Sequence, residues 1–403
     1  MLTGRGVALK VALLKLLAMA VAAAIWLPCI HLLFKPDGRR YRSDGPVTPK
    51  GRMMAARHLA VWTDPGRREC ELRNLQARNP EWDFMGRTFL VLALANMALR
   101  EPACRPQACE IMDLVIEHTL RIERERGVYH FLMDYARKTG PWKVQPPRSQ
   151  FLDGEIALML AARRMVEEKP EYRALLAERV EAMVARMRQS PVLSAESYPD
   201  ECWLFCNTVA LAAIRMADAL DGTDHAPFLA EWVAAARARL VEPRTGLLIS
   251  AYAVSGRPAP CGAGPEGSSI WMACHMLQLV DPDFAADQYR RARRHLGRSV
   301  LGFGYSREWP AASPGGADVD SGPVLPVLGA SASASGLAIL AAAAFDDRDC
   351  FAGLLASLNF LGFPVERDGQ LHYRASNPVG DAVLLYAMVV GPLWEEVRRR
   401  GGP

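Results

Sequence analysis

The sequence has no C-x-x-C pair, no histidine at zinc spacing from a cysteine pair, no phosphate-cradling Gly-rich loop and no dinucleotide fingerprint. It therefore offers no structural zinc site, P-loop or Rossmann module, and no metal or organic cofactor is expected. Charge of one sign is also scarce. The formal net charge is +4 over 403 residues, and no basic stripe interleaved with aromatics appears, so nucleic acid is excluded as a partner. The nine cysteines are odd in number and irregularly spaced, which is no disulfide framework; most read as small buried hydrophobes. What is present in quantity is apolar residues, half of the total against 23% charged. That composition excludes a disordered chain and supplies a large core.

The one long apolar run lies at the start. Leu16 to Phe34 carries no charge and follows Arg5, Lys10 and Lys15. It is long enough to cross a bilayer and longer than the apolar region of a signal peptide. Ala22-Ala23-Ala24 offers a cleavage site, but cutting there would leave Ile25-Trp26-Leu27 as the new end. The expectation is a retained single-pass anchor over residues 1–34, with the lipid bilayer as partner through residues 16–34. A Pro/Gly/Arg-rich juxtamembrane linker (35–51) and one domain (52–403) follow. Basic residues after the run outnumber those before it, which favours a cytoplasmic body.

Beyond the linker, two kinds of helical pattern alternate. Thr88–Leu99, Ile156–Val166, Trp203–Leu220, Ser268–Val280, Ser335–Phe345 and Ala382–Trp394 are apolar nearly all round, as interior helices are. Met53–Trp62, Gln107–Arg126, Glu171–Arg188, Ala226–Leu240, Phe284–Gly297 and Asp347–Leu361 are amphipathic. Six outer–inner pairs predict an all-α fold, an (α/α)6 barrel, with an N-terminal transmembrane helix. Leu247–Val254 and the Ser255-Gly256-Arg257-Pro258 turn predict a hairpin on one rim.

In such a barrel the long connections that lead into the inner helices converge on one mouth. They carry Glu81, Trp82, Asp83, Asp153, Glu155, Tyr198, Asp200, Glu201, Trp203, Cys206, Glu266, Glu308, Trp309, Asp320 and Asp381. Each carboxylate singly has a local explanation as a helix cap. Gathered at one mouth, they have the composition of an acid/base site. Carboxylates with aromatic platforms suit glycoside chemistry; an aromatic, apolar pocket with one acid suits alkenols, whose allylic cations ring faces stabilise. Cys202 and Cys206 lie one turn apart: they are two small packing residues, or Cys206 faces the cavity with its thiol acidified by the helix start.

The stretch Tyr198-Pro199-Asp200-Glu201-Cys202-Trp203-Leu204-Phe205-Cys206-Asn207, continuing to Asp221-Gly222-Thr223-Asp224, resembles the linalool dehydratase/isomerase family. There a Pro-Asp pair precedes a functional cysteine followed by Asn. The likeness runs on through Trp232, Glu242–Gly246, Asp281–Phe284 and Asp318–Gly322 to Asp381, and covers most of residues 80–395. It implies an (α/α)6 barrel, export to the periplasm, and cofactor-free dehydration and isomerisation of a monoterpene alcohol by cysteine and acid/base side chains. By position Cys206 matches one functional cysteine and the other falls on Ser197. A family histidine falls on Glu155 and a cavity tyrosine on Ile270, so the resemblance implies the same barrel with a retuned acid/base set.

The resulting expectation is a membrane-anchored lyase or isomerase acting on a lipophilic small molecule, an isoprenoid alcohol or similar amphiphile. Glu155, Cys206 and Asp200 are the catalytic candidates; Trp82, Asp83, Trp203, Trp271, Trp309 and Asp320 are the substrate-binding ones. A carbohydrate-active hydrolase, lyase or epimerase is the second reading, and a catalytically silent binding barrel the third. The side of the membrane, the substrate and homo-oligomerisation are left open.

Overall fold

The structure, a computed structural model, describes residues 3–259, 264–313, 315–316, 318–319 and 321–401. Fifteen α-helices are formed among them. The first, α1 (Thr3–Trp26), is uncovered by the rest of the chain and is long and apolar enough to cross a membrane. Pro28 ends its α-helical path, and the remaining apolar residues wind as a 3₁₀ segment, Leu27–Leu33. The expected linker is packed on the body: Tyr41 is buried and its hydroxyl donates to Asn359 Oδ1 at 2.8 Å.

The outer helices are α2 (Pro49–Thr63), α3 (Pro65–Arg78), α5 (Arg105–Arg126), α7 (Pro170–Met187), α9 (Ala226–Arg239), α11 (Pro282–His295) and α13 (Arg348–Leu361). The inner ones are α4 (Pro80–Arg100), α6 (Gln150–Val166), α8 (Leu204–Asp221), α10 (Gly267–Leu277), α12 (Ala332–Ala344) and α14 (Pro378–Val389), and α15 (Pro392–Gly401) closes the chain. Starts are written in the sequence. Asn79 accepts from the N–H groups of Glu81 and Trp82 with Pro80 at the first helical position, and Asn377 and Pro378 do the same for α14. Gly222, at φ 70°, supplies the left-handed residue that ends α8.

Contacts among the inner helices run α4–α6–α8–α10–α12–α14 and return from α14 to α4. Short turns lead from each inner helix outward and long connections lead back, so the inner helices all begin at one end. Approach is tightest where side chains are smallest. A Cβ on Gly267 would stand 2.4 Å from the Arg307 carbonyl oxygen and 2.9 Å from Ala334 Cβ. Gly267→Ala is therefore expected to cost about 1–3 kcal/mol by overpacking, read as a lower denaturation midpoint at unchanged slope. An unchanged midpoint would show that α10 and α12 can part freely.

One expectation needs correction. The apolar run Ala382–Trp394 is two helices, because Gly391 takes φ 136° and Pro392 starts α15. Helix α15 lies across the far end of the inner set: Leu393 N–H donates to Asn96 Oδ1, Trp394 Nε1 to the His275 carbonyl and Arg400 to the Met165 carbonyl. The hairpin expected at Leu247–Val254 and the Ser255–Pro258 turn forms across that turn: Ala253 N–H donates to the Arg257 carbonyl at 2.8 Å, Ala259 N–H donates to the Ala251 carbonyl at 3.1 Å, and Tyr252 bridges to Pro258. Its strand β2 (Ala251–Tyr252) also pairs with β1 (Cys202–Trp203), just before α8. The remaining strands also lie in the long connections. They form a five-stranded antiparallel sheet in the order β3 (Gly297–Val300), β4 (Phe303–Arg307), β7 (Ala330–Ser331), β6 (Gly322–Leu325), β5 (Asp318–Val319), and a hairpin of β8 (Pro364–Arg367) and β9 (Gln370–Tyr373).

Candidate active site

Helix α6 sends two carboxylates in opposite directions, because Asp153 and Glu155 are two residues apart on a helix. Asp153 turns outward into a cluster of three arginines, at 2.6 Å each from Arg148, Arg179 and Arg186. Burial alone would raise its pKa; the Arg148 hydrogen bond and the charges of Arg186 and Arg179 outweigh that and hold it below the ordinary value. Asp153 is an ionised anchor.

Glu155 turns inward, 1% exposed, and its Oε2 has no hydrogen-bond partner among the protein groups. Burial pushes its pKa up to about 8; the Thr88 hydroxyl opposes this and the charge of Glu81 adds to it. The apolar neighbourhood has a visible source. Phe151, one turn earlier on α6, meets Phe84 of α4 edge-on at 5.1 Å, and Phe84 stacks on Phe131 at 4.6 Å. Glu155 is thus a neutral acid at pH 7, with a proton to give.

Cys206, on the first turn of α8, is buried, and both Glu155 and Glu81 act on it electrostatically. Its thiol is pushed well above the ordinary value by burial, with the Ser197 hydroxyl opposing and the charge of Glu81 adding to the rise. This corrects the expectation of an acidified cysteine: desolvation and two acidic neighbours outweigh the helix start, so Cys206 stays a thiol. Iodoacetamide at neutral pH is accordingly expected to label exposed Cys70 and leave Cys206 of the native chain unlabelled in peptide mass mapping. Equal labelling would show a thiolate.

The buried Thr88 and Ser197 hydroxyls stand beside Glu155 and Cys206 and act on them, and the indole N–H of Trp203 has no hydrogen-bond partner among the described residues. Ser197 is held in place by its neighbours: Ser149 Oγ donates to its carbonyl at 2.7 Å, and Asn207 clasps Ala195 through N–H···Oδ1 and Nδ2–H···O bonds. Glu81 accepts a short hydrogen bond from the Tyr198 hydroxyl, and Tyr135 stacks on that ring at 4.8 Å. Glu155, Glu81, Cys206, Ser197 and Thr88 therefore share one buried site.

Other candidates go elsewhere. Asp200 is exposed in a turn at φ 56°, where its N–H donates to Glu196 and its carboxylate accepts from Val254 N–H at 3.4 Å. Asp83 is locked to Arg87 by two hydrogen bonds of 2.9 and 3.0 Å and lines, with His118 and Arg121, a separate cavity of about 440 Å³. Trp271 is fully buried, donates to Ser306 Oγ at 2.7 Å and meets Tyr289 edge-on, so it belongs to the packing beneath β4 and α11. Trp309 donates to the Gly316 carbonyl under its own loop. Trp82 and Trp203 are half-buried against the core. Asp320 lies outside the described residues. Glu308 caps α10, accepting from Ser268 N–H and Oγ, and Asp381, raised to about 7 by burial, meets Arg57 and Glu71 of the outer helices. Among the described residues no three His, Cys, Asp or Glu side chains gather as metal ligands.

The residues that the candidate set lacked are Glu81 and Thr88. Their spacing was a usable signal: Glu81, Phe84 and Thr88 share one face of α4 at i, i+3 and i+7.

The family model described as linalool dehydratase/isomerase matches residues 153–379, more than half of the chain. Among solved structures, the GH76 α-mannanase of Bacteroides thetaiotaomicron is similar at 12% identity and a TM-score of 0.44, covering 77% of this chain and 86% of that one. Among curated proteins none matches.

Proposed function

Because the chain belongs to the linalool dehydratase/isomerase family, we propose that it is a cofactor-independent lyase/isomerase acting on an isoprenoid alcohol or similar lipophilic alkenol. The cyclic order of inner-helix contacts is read as a six-hairpin (α/α)6 toroid, and α1 as a retained single-pass anchor that keeps the site near a lipid-dissolved substrate. One observation carries the chemistry: the carboxyl of Glu155 is buried and neutral, one of its oxygens has no hydrogen-bond partner among the described residues, and it feels the charge of a second acidic group, Glu81.

Glu155 gives its proton to the substrate hydroxyl. The C–O bond breaks, water leaves with the bonding pair, and an allylic cation remains. The rings of Phe84, Phe131 and Phe151 form an apolar wall suited to such a cation. Glu81, oriented by Tyr198, takes a proton from the neighbouring carbon, whose electron pair becomes the new double bond. Return of that proton to Glu155 through the Cys206 thiol and Ser197 hydroxyl resets the site. In isomerisation the water adds back at the far end of the allyl system instead, its oxygen pair forming the new C–O bond, and its extra proton returns to the Glu155 carboxylate. The buried Ser197 and Thr88 hydroxyls, beside Cys206 and Glu155, would hold the substrate oxygen.

The test is a panel of allylic isoprenoid alcohols given to the detergent-extracted full chain in heavy-oxygen water, with dienes and labelled isomers read by gas chromatography and mass spectrometry. Neither product from any alcohol would end the proposal. A carbohydrate-active role draws on the same pair, Glu155 and Glu81; release of reducing sugar from glycans, without dienes, would favour it.

A further inference from the structure

The outer-to-inner end of the barrel is also where the N-terminal segment meets the body. Phe34, just past the 3₁₀ segment, packs on Phe360 at 4.8 Å and on Phe303 at 6.2 Å, and its carbonyl accepts from Asn359 at 3.2 Å. Gly302, at the tip of the β3–β4 turn, lies so close to the His31 ring that a Cβ would stand 2.3 Å from it. These contacts fix the end of the apolar helix against the β3–β4 tip and the end of α13.

That meeting point is ringed by large apolar side chains that remain exposed, Phe360 among them even with Phe34 and Phe303 packed on its ring. Leu33 is 83% and Phe363 61% exposed, and Val300, Leu301, Phe360 and Leu361 are also exposed. Scattered single hydrophobes need no account, but a contiguous patch on one rim does. Two of the six stand at turn positions that disfavour them: Leu301 at φ 50° and Phe363 at φ 52°. A left-handed backbone suits Gly or Asn, and bulky apolar residues there carry a cost. Lys35, Arg39 and Arg40 are exposed just beyond the 3₁₀ segment, and a cavity of about 360 Å³ at its foot is lined by Lys35 and Arg298 beside His31. Apolar tips backed by cations match a bilayer interface, where side chains enter the acyl boundary and Lys and Arg meet phosphates.

We propose that this rim is a membrane-docking surface: Leu301 and Phe363 enter the interface of the same bilayer that α1 spans, so the barrel lies with its mouth-end rim against the lipid. The occupant is the bilayer, because the patch is continuous with the apolar helix and shares its cationic border. The inference rests on reading α1 as a membrane span, and it deepens the proposed function by giving a lipid-dissolved alkenol a direct path to the site.

The experiment uses the full chain in vesicles of phosphatidylcholine and phosphatidylglycerol, with a photoreactive residue at one position at a time: Leu17→benzoylphenylalanine in α1, Leu301→benzoylphenylalanine and Phe363→benzoylphenylalanine on the rim, and Leu175→benzoylphenylalanine on α7. Lipid adducts by mass spectrometry are expected at positions 17, 301 and 363, at least tenfold above position 175. Adducts at 17 with none at 301 and 363 would overturn the docking surface and leave the anchor standing. Absence at 17 as well would remove both. Protein–protein adducts at 363 in place of lipid adducts would assign the surface to a second copy of the chain and overturn the proposal.

Discussion

Glu155→Gln is expected to lower turnover by about 10²–10⁴-fold, the usual loss on removing a general acid, and at the same time to stabilise the fold. The sign follows from proton linkage. The carboxyl titrates at its ordinary 4.5 in the unfolded chain and at about 8 in the native one. Between those values the native state holds a proton that the unfolded state has lost, so stability falls as pH rises through that window and levels off above it. At about 1.4 kcal/mol per pH unit, the loss at neutral pH is on the order of 3 kcal/mol. Gln cannot ionise and escapes it, so the variant should gain on the parent from mildly acidic to mildly alkaline pH. Parent activity should hold steady below about pH 8 and fall about tenfold per unit above it, since the acid form is the working one. Thermal melts and initial rates across that range check both halves. A variant that is folded, no more stable and fully active would remove Glu155 from the mechanism.

Asp153→Asn is the largest expected loss of stability. Its carboxylate is the shared partner of Arg148, Arg179 and Arg186, and Arg186 is 1% exposed. Taking the negative charge away leaves buried guanidinium charge uncompensated, at a cost of about 3–5 kcal/mol. The carboxyl's folded pKa is depressed, so its contribution is present above its ordinary 3.8 and is lost as pH falls below it. Chemical denaturation should show the midpoint dropping at neutral pH and the difference from the parent shrinking in acid. Asp200→Asn, on an exposed turn, should change stability by less than about 0.5 kcal/mol. Equal midpoints for Asp153→Asn and the parent would mean that the arginines are held by their other partners.

Much of the architecture was legible in the chain. Helical periodicity distinguishes the covered helices from the half-covered ones, because burial on all sides demands an apolar residue at every step. Caps such as Asn79-Pro80 and Asn377-Pro378 mark starts by local hydrogen bonding. The uncharged run Leu16–Phe34 marks a segment long and apolar enough to cross a membrane. Glu155 and Cys206 could be singled out, the one by its place among apolar residues, the other by the family motif around it.

Composition and spacing determined which helices are inner and which are outer, where the apolar leader lies, and that a carboxylate and a thiol stand at inner-helix starts. Only the tertiary structure decided their chemistry. Asp153 and Glu155 look alike in sequence, yet one meets three arginines from α7 and the loop before α6, while the other is acted on by Thr88 and Glu81 from α4. Cys206 at a helix start reads as an acidified thiol until its burial and the acidic groups acting on it are known. Asp83, Asp200 and Trp271 share the mouth in chain order but turn away from it in space. The physical reason is the same in each case. A pKa and a binding role depend on desolvation and on charges brought from distant parts of the chain, and local sequence specifies neither.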